Sequence, residues 1–208
     1  MPKAGPLSKL GILLSGRGSN FSAIADNIAQ GELAGCEIAV AISNKADAPG
    51  LDVARERGLK AVAIEARGRK RAEHDREIIA CLREHQVELV CLAGYMRLLS
   101  AEFVQAFPER ILNIHPSLLP AFPGLEAQKQ AFDYGVKVAG CTVHFVDEAL
   151  DHGTIILQRT IPVLDTDDAH SLSERILAEE HVAYTDAIAR IASGQYEIRG
   201  RRYTHKTL

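Results

Sequence analysis

Strand-like and helix-like segments alternate through the first 115 residues, and that alternation limits the fold more than any other feature. Leu10 to Leu14, Glu37 to Ile42, Lys60 to Ile64, Val87 to Leu92 and Ile111 to His115 are short apolar runs of strand type. Between them lie segments of helical spacing: Phe21 to Gln30, Leu51 to Arg57, Ala72 to His85, and a short one capped by Ser100 and running through Phe107. In the first, Phe21, Ile24, Ala25 and Ile28 recur at the period of one helix face. Strands joined through helices require crossover connections, which predicts an α/β protein with a mostly parallel central sheet flanked by helices. Later elements differ. A helix from Leu125 to Tyr134 precedes strands at Val138 to Val146 and Ile155 to Val163, an antiparallel addition in the C-terminal half. A long helix over Asp168 to Ser193 follows. No repeat or linker interrupts the pattern, so one domain is expected over residues 1–208, with residues 1–8 and the basic stretch 199–208 as flexible tails.

A chain of 208 residues can bury roughly 70% of its unfolded surface and needs no covalent staples. The net charge of −3 and isoelectric point near 6.2 give no global basic field, which argues against a nucleic-acid binder. Cysteines 36, 81, 91 and 141 form no CxxC pair and read as reduced thiols of a cytoplasmic protein. No apolar run reaches membrane-spanning length, and the N-terminal segment lacks the pattern of a cleaved signal.

The turn Ser15-Gly16-Arg17-Gly18-Ser19-Asn20 joins the first strand to the first helix. Its glycines permit close backbone approach, and a helix start offers amide donors and a positive dipole end to an anion. Phe21 stands where a third glycine of a dinucleotide loop would be, and the second strand ends in Ser43-Asn44-Lys45 without the acidic residue that holds a ribose. No Gly-Lys-Ser/Thr follows either. The turn therefore reads as a phosphomonoester site or as a tight turn without a ligand, and not as a site for NAD or ATP.

Asn113 and His115 are two apart on a strand and share a face, and Pro116 keeps His115 extended at the strand's end. A donor and an imidazole side by side suit acyl or proton transfer; satisfied polar residues at a strand end would look the same. Asp151, in the acidic turn Asp147 to Gly153, could return to the same edge and favour the imidazolium, or could simply be solvated. Gly94-Tyr95-Met96-Arg97-Leu98-Leu99 closes the fourth strand and suits a flat heterocycle or the core of the next connection. His144 shares a strand face with Thr142 and could support the site from behind, but reads first as a core histidine. The remaining histidines show no ligand spacing, there is no HExxH, and no metal site is expected. The absence of a GxSxG elbow disfavours a covalent hydrolase.

Together, the Ser15–Asn20 turn, Gly94-Tyr95-Met96-Arg97, Asn113-Ile114-His115-Pro116-Ser117-Leu118-Leu119-Pro120 and the turn ending in Asp151 resemble the phosphoribosylglycinamide formyltransferases, over about Leu10 to Gly194. The resemblance implies a single-domain, Rossmann-like formyltransferase fold, with the ribonucleotide phosphate site in the N-terminal half and the folate site in the C-terminal half. It implies catalytic roles for Asn113, His115 and Asp151. It matches Gly18, Ser19, Asn20, Phe21 and Ser22 to the ribose-phosphate segment, and Glu180 to a contact with the glycinamide substrate. It matches Arg71, Met96, Arg97, Leu98, Leu99, Asn113, Asp147, Glu148, Ala149, Leu150 and Asp151 to the folate pocket. The implied co-substrate is 10-formyltetrahydrofolate, without metal, NAD, nucleic acid or membrane, in a cytoplasmic monomer or homodimer. One departure lies at Leu125-Glu126-Ala127-Gln128, where some relatives carry histidines. A deformylase of the same fold would share the trio but carry an extra N-terminal domain, a methionyl-tRNA formyltransferase would carry an RNA-binding one, and a non-catalytic phosphate binder would need only the turn.

Overall fold

The computed structural model describes residues 8–206. Chain packing divides them into two compact units, one running up to Leu112 and one from Asn113 onward.

In the first unit, β1 (Ser8–Leu14) pairs in parallel with β2 (Cys36–Ser43) and with β4 (Leu89–Leu92), and β2 pairs in parallel with β3 (Ala61–Ala63). The strand order is therefore β3-β2-β1-β4. Leu10, Ile12, Leu13 and Leu14 are fully buried, as expected of a parallel strand covered on both faces. The connecting helices are α1 (Ser19–Ala29), α2 (Pro49–Glu56) and α3 (Arg71–Glu84), followed by the short α4 (Ala101–Ala106). Helix α1 buries Phe21, Ile24 and Ala25, the apolar stripe its sequence shows. Gly11 lets α3 come close: a β-carbon there would strike Leu82 and Val87. Ser100 caps α4 by accepting from the Phe103 amide, while its own amide donates to the buried Asp75 at 2.7 Å.

Because the chain steps from β1 outward to β2 and β3 and then returns to β4 on the other side of β1, the order reverses between β1 and β4. Such a reversal opens a crevice beyond the carboxyl ends of the two strands, where ligands of open α/β sheets bind.

Strand β5 (Ile111–His115) spans the boundary between the two units. In the second unit, β6 (Val138–Phe145) and β7 (Ile155–Pro162) pair antiparallel. Helix α5 (Ala127–Tyr134) ends on Gly135, whose φ of 82° is the left-handed stop that glycine adopts freely. Helix α6 (Ala169–Ala192) opens with a capping box between Asp168 and Ser171. Its buried stripe is Leu172, Ile176, Glu180, Ala183, Tyr184, Ala187 and Ile188. Six of these seven are apolar or aromatic; Glu180 is the exception, and burying a carboxylate costs free energy unless it has partners.

Two expectations about the ends are corrected. Ser8 already belongs to β1, while residues 1–7 lie outside the described part. The basic stretch from 199 is not a flexible tail as far as residue 206. It forms most of an antiparallel hairpin, β8 (Tyr196–Arg199) with β9 (Arg202–His205), turned at Gly200 and Arg201. Tyr196 and Tyr203 stack with centroids 5.3 Å apart, an apolar reason for order that the charge count hides.

Candidate active site

Within the first unit, the turn after β1 is tied to its neighbours at the carboxyl ends of the strands. The Ser15 hydroxyl donates to Asn44 Oδ1 at 2.6 Å and accepts from the Met96 amide at 2.8 Å. The Ser15 amide donates to the Gly94 carbonyl, and the Gly50 amide to the Gly16 carbonyl. Gly18 precedes α1 with φ 73°, a left-handed conformation that turns the chain into the helix. Helix α1 begins without a side-chain cap or an acidic residue in its first turn. Contrast α6, whose start is closed by a carboxylate. The α1 start is suited to an incoming anion.

The expected phosphate residues divide by role. Ser19 and Asn20 open the helix; Ser19 is half-buried and Asn20 is buried. Phe21 is fully buried, so only its backbone could serve. The Ser22 amide already donates to the Gly18 carbonyl, which leaves its hydroxyl.

Of the expected folate residues in this unit, Met96 is 65% exposed and Leu98 58%. Beside them, Tyr95 Oη and Arg97 Nε are buried without a hydrogen-bond partner. Burial, with the Asp75 charge second, pushes the Tyr95 hydroxyl up, so it remains a protonated donor. Arg71 is exposed at the start of α3.

The second unit holds the expected catalytic residues, and it brings them together. His115 ends β5 and is buried; its Nδ1 lies 3.5 Å from Asp151 Oδ2, and its Nε2 donates to the Phe122 carbonyl at 2.9 Å. Both ring nitrogens thus face oxygen atoms. The Asp151 carboxylate accepts from the Gly124 amide at 2.8 Å. Asp151 itself has φ 49°, and Gly153 supports this turn by passing against the Phe145 carbonyl with no room for a β-carbon. The loop is closed on itself: the Ala149 amide and the His152 Nδ1 donate to the two oxygens of Asp147.

His144 is more than a core histidine. Its Nδ1 donates to the Phe145 carbonyl at 2.8 Å, so Nε2 is an acceptor, and Asn113 Nδ2 donates to it at 3.3 Å. His144 Nε2 also lies 3.9 Å from Asp151 Oδ1. Burial holds the ring below the ordinary histidine pKa, with the Phe145 carbonyl and Asp151 opposing. A neutral His144 fixes which way the Asn113 amide faces and leaves its second N–H to donate elsewhere.

The segment after His115 is held from β6 and β7. Thr142 donates to the Ser117 carbonyl and accepts from the Leu119 amide, and Gln158 donates to both Thr142 and the Leu119 carbonyl. Glu180, on α6, is buried near Cys141 of β6: burial first, and then the Glu180 charge, push that thiol up to about 12. Cys141 is therefore not a nucleophile at neutral pH. Among the described residues no cluster of His, Cys, Asp and Glu could hold a metal ion, and no helix is long and apolar enough to cross a membrane.

The model of the formyl transferase family matches residues 8–188, which include every element from β1 nearly to the end of α6. The chain belongs to the formyl transferase family. Among relatives of this formyl transferase, the phosphoribosylglycinamide formyltransferase of Bacillus subtilis is 41% identical over 186 residues, covering 89% of this chain and 95% of that one. The trifunctional purine biosynthetic protein adenosine-3 of Drosophila pseudoobscura pseudoobscura is 46% identical over 91% of the chain, which spans 14% of that protein's length. Among solved structures, glycinamide ribonucleotide transformylase 1 from Symbiobacterium toebii superposes with a TM-score of 0.93 at 50% identity, covering 96% of this chain and 94% of that one.

Proposed function

We propose that this formyl transferase moves the formyl group of 10-formyltetrahydrofolate to the amine of N1-(5-phospho-D-ribosyl)glycinamide, a step of purine synthesis. The observation that carries the reading is the cluster of Asn113, His115, His144 and Asp151 in a chain that shares 41% identity with a phosphoribosylglycinamide formyltransferase over nearly its whole length. The uncapped start of α1 supports a phosphate site. Exposed Met96 and Leu98 beside the unpartnered Tyr95 and Arg97 atoms fit a flat heterocycle with hydrogen-bonding edges. The same reading makes it a cytoplasmic enzyme acting on two small molecules.

The formyl donor supplies a carbonyl activated by attachment to nitrogen. The substrate amine is the nucleophile, so the protein needs none. Asn113, oriented by His144, donates an N–H to the formyl oxygen as negative charge grows there. A donor placed in this way contributes roughly 3 kcal/mol to the barrier reduction. His115, set between Asp151 and the Phe122 carbonyl, is placed to pass a proton to the departing nitrogen. Asp151 then accepts the proton lost by the amine.

The test mixes the protein with 10-formyltetrahydrofolate, with and without the glycinamide ribonucleotide, and follows folate absorbance. Release that requires the ribonucleotide is expected. Release at the same rate without it would make the protein a hydrolase, and no release in either case would reject catalysis.

A further inference from the structure

The β8–β9 hairpin grips the loop that carries Asp147 and Asp151 at both of its stems. On the upstream stem, the Tyr203 ring meets Phe145 edge-on, with centroids 5.5 Å apart. On the downstream stem, Arg201 Nη2 donates to the His152 carbonyl at 2.6 Å, and Nη1 lies 3.2 Å from His152 Nε2. A guanidinium only donates, so that second contact requires a lone pair on Nε2 and places the ring proton on Nδ1. There it is donated to Asp147 Oδ2 at 2.9 Å. Arg201, His152 and Asp147 therefore form one directed chain of hydrogen bonds from the hairpin turn to the start of the loop.

The hairpin is a firm base for this grip. Tyr196 stacks on Tyr203, the Arg190 guanidinium sits 5.7 Å over the Tyr196 ring, and the Lys206 amide donates to the Gln195 carbonyl. The loop needs a grip: Asp151 is in a left-handed conformation, and a non-glycine residue stays there only where its surroundings impose it. Leu150, next to it, is 57% exposed and adds little packing of its own.

We propose that Arg201 is a positioning residue that, through His152, holds the Asp147–Asp151 loop in the shape that the formyl donor meets. This rests on the reading of the loop as part of the donor site. Arg201 and His152 are exposed, so the pair contributes little to global stability. Its effect is local: it suppresses opening of one loop.

The experiment compares the full chain with Arg201→Ala and Arg201→Lys by steady-state kinetics, amide hydrogen exchange and thermal melting. Arg201→Ala is expected to raise KM for 10-formyltetrahydrofolate about fivefold, the size of one exposed charge-assisted contact. It should leave KM for the ribonucleotide and the melting temperature unchanged, and speed exchange of amides 147–153. Arg201→Lys should recover part of both effects, because a lysine reaches the carbonyl but cannot fork to the ring. Unchanged exchange in this loop overturns the proposal. So does a melting-temperature drop with equal losses for both substrates, which marks a general staple. Failure of the wild-type chain to turn over sinks the functional reading instead, and the exchange measurement still decides the grip.

Discussion

Asn113 Nδ2 lies 3.3 Å from Nε2 of His144, and because burial favours the neutral ring and its other nitrogen donates to a backbone carbonyl, the contact runs from the amide to the ring. The consequence is an amide whose orientation is imposed by a neutral imidazole.

Replacing His144 by glutamine keeps an acceptor beside Asn113 and should retain most of kcat, whereas His144→Phe should lower kcat about a hundredfold with both KM values nearly unchanged, the usual effect of a misplaced donor. Equal turnover in the two variants would remove His144 from the positioning of Asn113. The wild-type ring also imposes a pH dependence of known sign. Its folded pKa is depressed by burial, so between that value and the unfolded one, near 6.5, the unfolded chain binds the extra proton and the folded chain does not. Stability is full above about pH 6.5 and falls as pH drops toward the folded value. His181, also lowered by burial, adds the same sign. Urea unfolding from pH 8 to pH 5 should show the decline, and His144→Phe should flatten it.

Asp151→Asn removes a charge but keeps an oxygen for the Gly124 amide, so the fold should persist while kcat falls about a hundredfold, an ordinary size for loss of an acid–base group. Circular dichroism and steady-state turnover together check this. Wild-type kcat in the variant would exclude Asp151 from proton movement.

At the other site, Asn20→Ala should raise KM for the phosphorylated substrate about tenfold, one lost hydrogen bond to a charged group, and leave KM for the formyl donor unchanged. Competition by inorganic phosphate gives a second readout: its inhibition should weaken in parallel. An unchanged KM would mean that the turn after β1 serves the fold alone.

Gly153→Ala places a β-carbon against the Phe145 carbonyl, a backbone atom within a sheet that cannot step aside. Denaturant unfolding should show a loss of about 2–4 kcal/mol, and turnover should fall with it. A stable, active variant would mean that the loop can be rebuilt, and that its shape is not tied to its return past β6.

Much of this arrangement is written locally. The five strands through residue 115 and the helices between them announce themselves by period, because each buries a face with its own neighbours in sequence. Even the Ser100 cap is visible, since it depends on residues three apart. His144 could not be assigned in the same way. Its role depends on Asn113, 31 positions earlier, and on which ring nitrogen a backbone carbonyl claims. His74 and Asp75, in a charged stretch of α3, are buried because the Ile64 carbonyl and the Ser100 amide meet them, contacts with no local signature. The β8–β9 hairpin did leave a trace, in Tyr196 and Ile198 before Gly200 and in Tyr203 after it. The basic residues around them read as solvation and concealed the alternation. Glu180 is legible once α6 is drawn as a wheel, as the one acid on an apolar stripe.

The Phe122 carbonyl already accepts the proton on Nε2 of His115. A ligand oxygen that takes this proton exchanges one acceptor for another, so the number of hydrogen bonds at the ring is conserved across the event. Affinity gained at that nitrogen is then close to nil, and the contact works as a sorting step. On the proposed function, a ligand that takes this proton must therefore draw its affinity from its other contacts.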